Sequence, residues 1–274
     1  PELSTEQWKT VLKTLRQANI PLVTFTGGEP TLRSDLVELV RAAEWFVTRL
    51  NTNGRALTPE LCAGLYDASL DSVQVTLYSA EGNIHNQLVG VNGFNDTVQG
   101  IRNAVAAGLI VSVNTPLCSL NTHYAETLRF VHSLGVRYVT CSGLIPSGSA
   151  CGQESRATAL TPEQLTDILR QAVDTAEELG MELDFTSPGW LDEETLRSLG
   201  LNLIPSCGAC LSNMAVTPDG KVVPCQSWLS DEPLGDLLHD DWADIWNSPR
   251  CAAIRAESAK LEHICQLKGK EVAE

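Results

Sequence analysis

The chain has 274 residues, 43% of them hydrophobic and 19% charged, a balance that suits one large α/β domain plus a small appendage. Its formal net charge of −15 argues against nucleic acid or an anionic membrane as a main partner, because both reward clusters of Lys and Arg. No run approaches the length of a membrane-spanning helix, and the opening PELSTEQWKT has neither the basic region nor the apolar run of a signal peptide, so a cytoplasmic protein without membrane contact is expected.

Helix and strand signals alternate from residue 4 to about residue 186. Ser4 and Gln7 form a capping pattern before a helix Thr5–Ala18 that carries Trp8, Val11, Leu12 and Leu15 on one face. The apolar run Leu22–Phe25 leads into Thr26-Gly27-Gly28-Glu29-Pro30. A helix Ser34–Trp45 follows, then a strand Val47–Leu50 ending in Asn51-Thr52-Asn53-Gly54. Thr58-Pro59-Glu60 starts another helix, and Ser72–Tyr78 reads as a strand. Helix Phe94–Ala107 stops at Gly108, strand Ile110–Thr115 follows, helix Tyr124–Leu134 stops at Gly135, and strand Arg137–Ser142 comes next. Pro146-Ser147-Gly148 breaks the pattern. Thr161-Pro162-Glu163 then opens a long helix to Gly180, before strand Met181–Phe185.

Strands separated by single helices, and read as apolar on both faces, predict a parallel sheet: a partial (β/α)6 barrel of the TIM type, with a doubly wound open sheet as the alternative. In both folds ligands gather beyond the C-terminal ends of the strands. That rule singles out Thr26–Pro30, Asn51–Gly54, Tyr78–Glu81, Asn114–Leu117 and Gly143–Gly148. Two domains are expected, residues 1–186 and 187–274. In the second, Asp219-Gly220 predicts a β-hairpin flanked by cysteines, and residues 240–260 read as a helix with Trp242, Ile245 and Trp246.

Two groups of residues carry chemistry. At Gly27-Gly28-Glu29-Pro30 the glycines let a ligand approach the backbone, Glu29 suits an ammonium group and Pro30 fixes the exit; the bland alternative is a plain strand-to-helix turn. The nine cysteines are Cys62, Cys118, Cys141, Cys151, Cys207, Cys210, Cys225, Cys251 and Cys265. An odd set without an export signal points to reduced thiols rather than disulfides. Cys62 to Cys151 are scattered, whereas Cys207, Cys210 and Cys225 fall in one short segment. The spacing Cys207-x12-Gly220-x4-Cys225 puts thiolates on both sides of a tight hairpin, where they could meet one iron–sulfur centre, hold zinc, or stay unligated. The five histidines read as packing or surface residues, Cys118 and Cys141 as barrel packing with substrate contact as the alternative, and Tyr78 as packing, a substrate contact or a hydrogen donor.

The stretch Thr24–Leu32 resembles the second-strand motif of radical S-adenosylmethionine (SAM) enzymes. Leu50–Gly54 resembles the family's Thr-Asn-Gly strand end, Gln74–Ala80 its fourth strand, and 144–148 its Pro-x-Gly near the adenine. The resemblance implies a SAM site at Gly27, Gly28, Glu29, Asn53, Ser79, Asn114 and Leu144. The Arg that often follows the fourth strand, where it can hold the SAM carboxylate, is replaced at Val89-Gly90, so that contact is expected from elsewhere, with Arg102 the candidate, or is absent. The family's Cys-x-x-x-Cys-x-x-Cys loop for its 4Fe–4S cluster is not found here and is expected upstream of Pro1 with one more strand. Ala215–Cys225 and Leu234–Pro249 are similar to the family's SPASM or twitch module, which implies one auxiliary 4Fe–4S cluster with ligands among Cys207, Cys210, Cys225 and Cys265. The implied activity is reductive cleavage of SAM and removal of a hydrogen atom from a ribosomally made peptide, with an electron donor such as flavodoxin or ferredoxin. Small-molecule oxidation and sulfatase maturation are alternatives by the same chemistry. A non-catalytic zinc-binding barrel acting as a scaffold is the rival of another class.

Overall fold

The computed structural model describes residues 2–144, 158–228, 232–261 and 263–266. Six parallel strands form one sheet: β1 (Leu22–Phe25), β2 (Val47–Thr52), β3 (Ser72–Thr76), β4 (Ile110–Leu117), β5 (Tyr138–Gly143) and β6 (Glu182–Phe185). Each strand pairs with the next in sequence. A doubly wound sheet would reverse its strand order at a switch point, so this unbroken order decides for the partial barrel. All six strands read in the sequence are present, and β1 lies at one edge of the sheet.

Local signals set most of the connecting helices. Ser4 and Gln7 make a complete capping box on α1 (Thr5–Gln17), and Thr161 and Gln164 make another on the helix Pro162–Leu179. Between these lie α2 (Leu36–Ala42), α3 (Pro59–Asp67), α4 (Gly82–Val89), α5 (Phe94–Ala106) and α6 (Tyr124–Ser133), so that Pro162–Leu179 is α7. The short α4 went unread in the sequence, because its Asn-rich turns carry little apolar periodicity.

The sheet is not apolar on both faces, as the strand runs suggested. Leu50, Val73, Val75, Val111, Val113, Val139 and Cys141 are buried against the helices in the main core. Each fully buried aliphatic side chain there contributes about 1.5–3 kcal/mol. The alternate residues Arg49, Asn51, Gln74, Ser112, Asn114 and Thr140 line the other face, partly or fully exposed. An incomplete barrel leaves its inner face open to water and ligands, so that face keeps polar side chains.

The C-terminal part begins with α8 (Glu193–Ser198) and builds a small sheet. The Asp-Gly hairpin joins β7 (Ala215–Val216) to β8 (Lys221–Val223), and β9 (Gly235–Asp236) pairs with β8 on its other side. The single helix expected at 240–260 is two: α9 (Trp242–Asn247) and α10 (Pro249–Leu261). Pro249 forces Ser248 into an extended conformation (φ −57°, ψ 146°) and breaks the run. The two parts share a core. Leu3, Trp8, Val11 and Leu15 at the N-terminus pack with Val222, Leu237 and Ile245, and the Leu3 amide donates to Pro218 O at 2.8 Å. Among the described residues, no helix is long and apolar enough to cross a membrane.

Candidate functional site

The strand ends meet at one mouth. Gly27 has φ +147°, a region that favours glycine, and a Cβ at either Gly27 or Gly28 would meet no atom within 4 Å. The backbone of this turn therefore lies open to a ligand. Glu29 is already engaged. Its Oε1 accepts from Thr31 N at 3.1 Å, Thr31 Oγ1 at 2.6 Å and Thr52 Oγ1 at 2.6 Å, and its Oε2 accepts from Asn53 N at 2.8 Å. The carboxylate is thus a clamp that ties the end of β1 to the end of β2. Asn53 Oδ1 accepts from Arg55 N at 2.9 Å, and its carbonyl accepts from Thr97 Oγ1 at 2.9 Å.

The other expected residues take distinct places. Ser79 is buried and its hydroxyl accepts from Glu81 N at 3.0 Å, closing the turn after β3. Asn114 stands on the inner face, where its Oδ1 accepts from Thr140 Oγ1 at 2.8 Å; Gln74 Nε2 donates to the same hydroxyl at 3.3 Å. Leu144 is partly buried at the end of β5 and borders a small cavity with Leu117, Gly143 and Trp190. Residues 145–148 of the Pro-x-Gly motif, like Cys151, lie outside the described residues. Arg102 sits on the exposed face of α5, away from its buried stripe of Val98, Ile101 and Ala104.

Tyr78 is held from two sides. Its amide donates to Nδ1 of the buried His85 at 3.3 Å, and its carbonyl accepts from Asn121 Nδ2 at 2.8 Å. Burial raises the Tyr78 phenol, with a further push from the adjacent Cys118, and burial lowers His85, which favours a neutral ring.

The cysteines of the C-terminal part form a second cluster. Cys207 and Cys210 are buried on one loop, and Cys207 packs with Ala209, Trp228, Cys225 and Ile254. The Cys210 thiol contacts that of Cys251 and lies within electrostatic reach of Cys225, which packs by Cys207 and lies within electrostatic reach of Cys265. Burial, then the neighbouring Cys251 thiol, pushes Cys210 up to about 12, against a small opposing pull from Arg255. Burial likewise raises Cys225. Among the described residues, no three His, Cys, Asp or Glu side chains are arranged to hold a single metal ion.

Residues 1–131 match the Radical SAM superfamily, and residues 207–267 match SPASM, an iron–sulfur cluster-binding domain. The chain is a radical SAM protein with a SPASM domain. It is 26% identical over 262 residues to an AdoMet-dependent heme synthase of Oleidesulfovibrio alaskensis, covering 89% of this chain and 66% of the relative. It is 29% identical over 258 residues to mycofactocin maturase MftC of Mycolicibacterium smegmatis, covering 89% and 62%. The chain therefore spans less than two thirds of the length of these relatives. The crystal structure of Streptococcus suis SuiB bound to precursor peptide SuiA shares the fold, with a TM-score of 0.77 at 15% identity over 92% of this chain and 60% of that one.

In the radical SAM domain, the open Gly27-Gly28 backbone and a buried Asn51 Oδ1 with no partner among the described residues fit a polar ligand. In the SPASM domain, the gathered thiols and a buried Arg255 Nη1, equally without a partner there, fit an anionic sulfur-ligated group. Sequence reasoning singled out the segment Asn51–Gly54 without giving Asn51 a role, named Cys251 without assigning it to the cluster, and passed over Arg255. It also passed over Gly100, where a Cβ would collide with Gly54 O of the mouth. A glycine in mid-helix was the available signal for that close approach.

Proposed function

We propose that this chain is the greater part of a radical SAM enzyme that modifies a peptide. The observation that carries the reading is the mouth itself: an open Gly27-Gly28 backbone held in register with Asn53 by the Glu29 clamp. SAM, held at a 4Fe–4S cluster, supplies on one-electron reduction a carbon radical that removes a hydrogen atom from the substrate. The chain's own residues bind and orient. Gly27 and Gly28 offer backbone groups to the methionine end of SAM, and Glu29 fixes them there. Asn53, Ser79, Asn114 and Leu144 are the remaining SAM-facing residues of the proposal. The polar inner face formed by Asn51, Gln74 and Thr140 would receive the substrate.

Beyond β2, the strand β1 has no partner among the described residues, and its outer edge suits one more strand. That strand would bring the three-cysteine loop to the same mouth. Cys207, Cys210 and Cys225, with Cys265 as one candidate for the fourth place, are the proposed ligand pool of one auxiliary 4Fe–4S cluster, which the SPASM match favours over a zinc knuckle. The electron would come from a flavodoxin- or ferredoxin-type donor.

Peptide modification is supported by the similarity to MftC, a maturase, and to SuiB, whose structure holds its precursor peptide. The similarity to a heme synthase keeps a small-molecule substrate as the second reading. The test uses full-length protein prepared without oxygen and given SAM, a reductant and candidate peptides. Release of methionine and 5′-deoxyadenosine with a mass change on the peptide is expected. Absence of iron, or of any SAM cleavage, would leave the scaffold alternative standing.

A further inference from the structure

One face of α10 is built in an unusual way. Cys251, Ile254, Arg255 and Ser258 fall at i, i+3, i+4 and i+7 and so share that face. Contacts show that it looks onto the Cys207–Cys210 loop. Ser258 Oγ donates to Ala209 O at 2.7 Å and lies 3.7 Å from Cys207 Sγ. Ile254 packs on Cys207, Ala209, Trp228 and Cys225. Cys251 is 0% exposed and its thiol meets that of Cys210. Arg255 lies 4.0 Å over the Trp246 ring and donates from Nη2 to Trp246 O at 3.1 Å. Its Nη1 is buried with no partner among the described residues.

A helix that only fills a core would put aliphatic residues at Cys251, Arg255 and Ser258 as it does at Ile254. A buried guanidinium with a spare donor is costly unless something anionic meets it. A 4Fe–4S cluster takes four thiolates, and five cysteines are gathered here. We infer that Cys251 is a thiolate ligand of the SPASM iron–sulfur centre, completing a set with Cys207, Cys210 and Cys225 in place of Cys265. The inference rests on reading this domain as an iron–sulfur site.

Three features separate the two candidates for the fourth place. Cys251 is in the first turn of a 13-residue helix that is anchored to the cysteine loop through Ser258, whereas Cys265 lies beyond the end of that helix and is partly exposed. Ligands on regular elements hold their geometry better than ligands on loops. Arg255, one turn beyond Cys251 on the same face, keeps a buried Nη1 with no partner among the described residues, a positive charge that would offset that of a four-cysteine set.

The test compares Cys251→Ser and Cys265→Ser in full-length protein reconstituted without oxygen. Iron and sulfide content and the low-temperature EPR spectrum of the reduced protein are read. Cys251→Ser is expected to lose one cluster's iron or to keep it with an altered EPR signal, while Cys265→Ser matches the parent. Parental iron and spectrum in Cys251→Ser would overturn the inference, as would loss of the cluster in Cys265→Ser alone. If Cys251→Ser does not fold, selenium placed at position 251 gives a direct readout. Iron neighbours at its X-ray absorption edge support the ligand role, and their absence refutes it. A parent whose iron is unchanged by Cys207→Ala/Cys225→Ala would instead sink the iron–sulfur reading of the domain.

Discussion

The mouth of the sheet and the cysteine cluster are both candidate cofactor sites, and they are organised by different forces. At the mouth, the Glu29 carboxylate is already engaged within the chain: it accepts four hydrogen bonds, and the Thr31, Thr52 and Asn53 groups that donate them hold two strand ends together, while Asn51 Oδ1 alone lacks a partner among the described residues. In the cluster, burial crowds thiols and a guanidinium whose needs the chain does not meet, since Cys210 is held protonated and Arg255 Nη1 lacks a partner among the described residues. A hydrogen-bonded site can form before its ligand arrives, whereas a thiol-lined site gains its order from metal.

The sharpest way to break that comparison is to remove ligands. Cys207→Ala/Cys225→Ala is expected to lose the auxiliary iron, leaving SAM binding at the mouth measurable by calorimetry; equal iron in parent and variant would refute the contrast. Next in size is Gly100→Ala, which drives a methyl group into Gly54 O. It should destabilise the fold by about 3 kcal/mol and weaken SAM binding with no change in iron at the SPASM domain. Urea unfolding and SAM titration check both halves.

Glu29→Gln comes third. The amide nitrogen must face either the hydroxyls of Thr31 and Thr52 or the Asn53 N–H, so stability should fall by about 1–3 kcal/mol along with SAM affinity. A fall in affinity at unchanged stability would show that Glu29 serves the ligand alone.

The smallest effect concerns pH. Burial holds Cys141 at about 12 and Cys210 at about 12, against an ordinary thiol value of 9.0. A raised folded-state value stabilises below pH 9 and is lost as pH climbs towards 12. Metal-free protein should therefore lose stability through that window. Cluster-loaded protein should lose less, because its ligand thiols are already ionised. Thermal melts at pH 8 and pH 10 with and without iron decide it.

The mouth was largely legible in the sequence, because Gly27-Gly28-Glu29 and Thr52-Asn53-Gly54 are local segments whose places at strand ends follow from apolar runs and turn residues. The cysteine loop was legible for the same reason. Chain order alone also carried the parallel sheet and the helix caps at Ser4, Thr58 and Thr161, since each cap is settled within three or four residues. What the tertiary structure decided is long-range. The polar inner face of Asn51, Gln74 and Thr140 exists because the sheet curves without closing. The role of Glu29 as a clamp depends on Thr52, 23 residues away, and the packing of α1 on the hairpin brings residues 3–15 to residues 222–245. Cys251 and Arg255 meet the Cys207–Cys210 loop only because α10 folds back on it. Composition and periodicity record which faces are apolar, but not which distant partner a buried polar group will find.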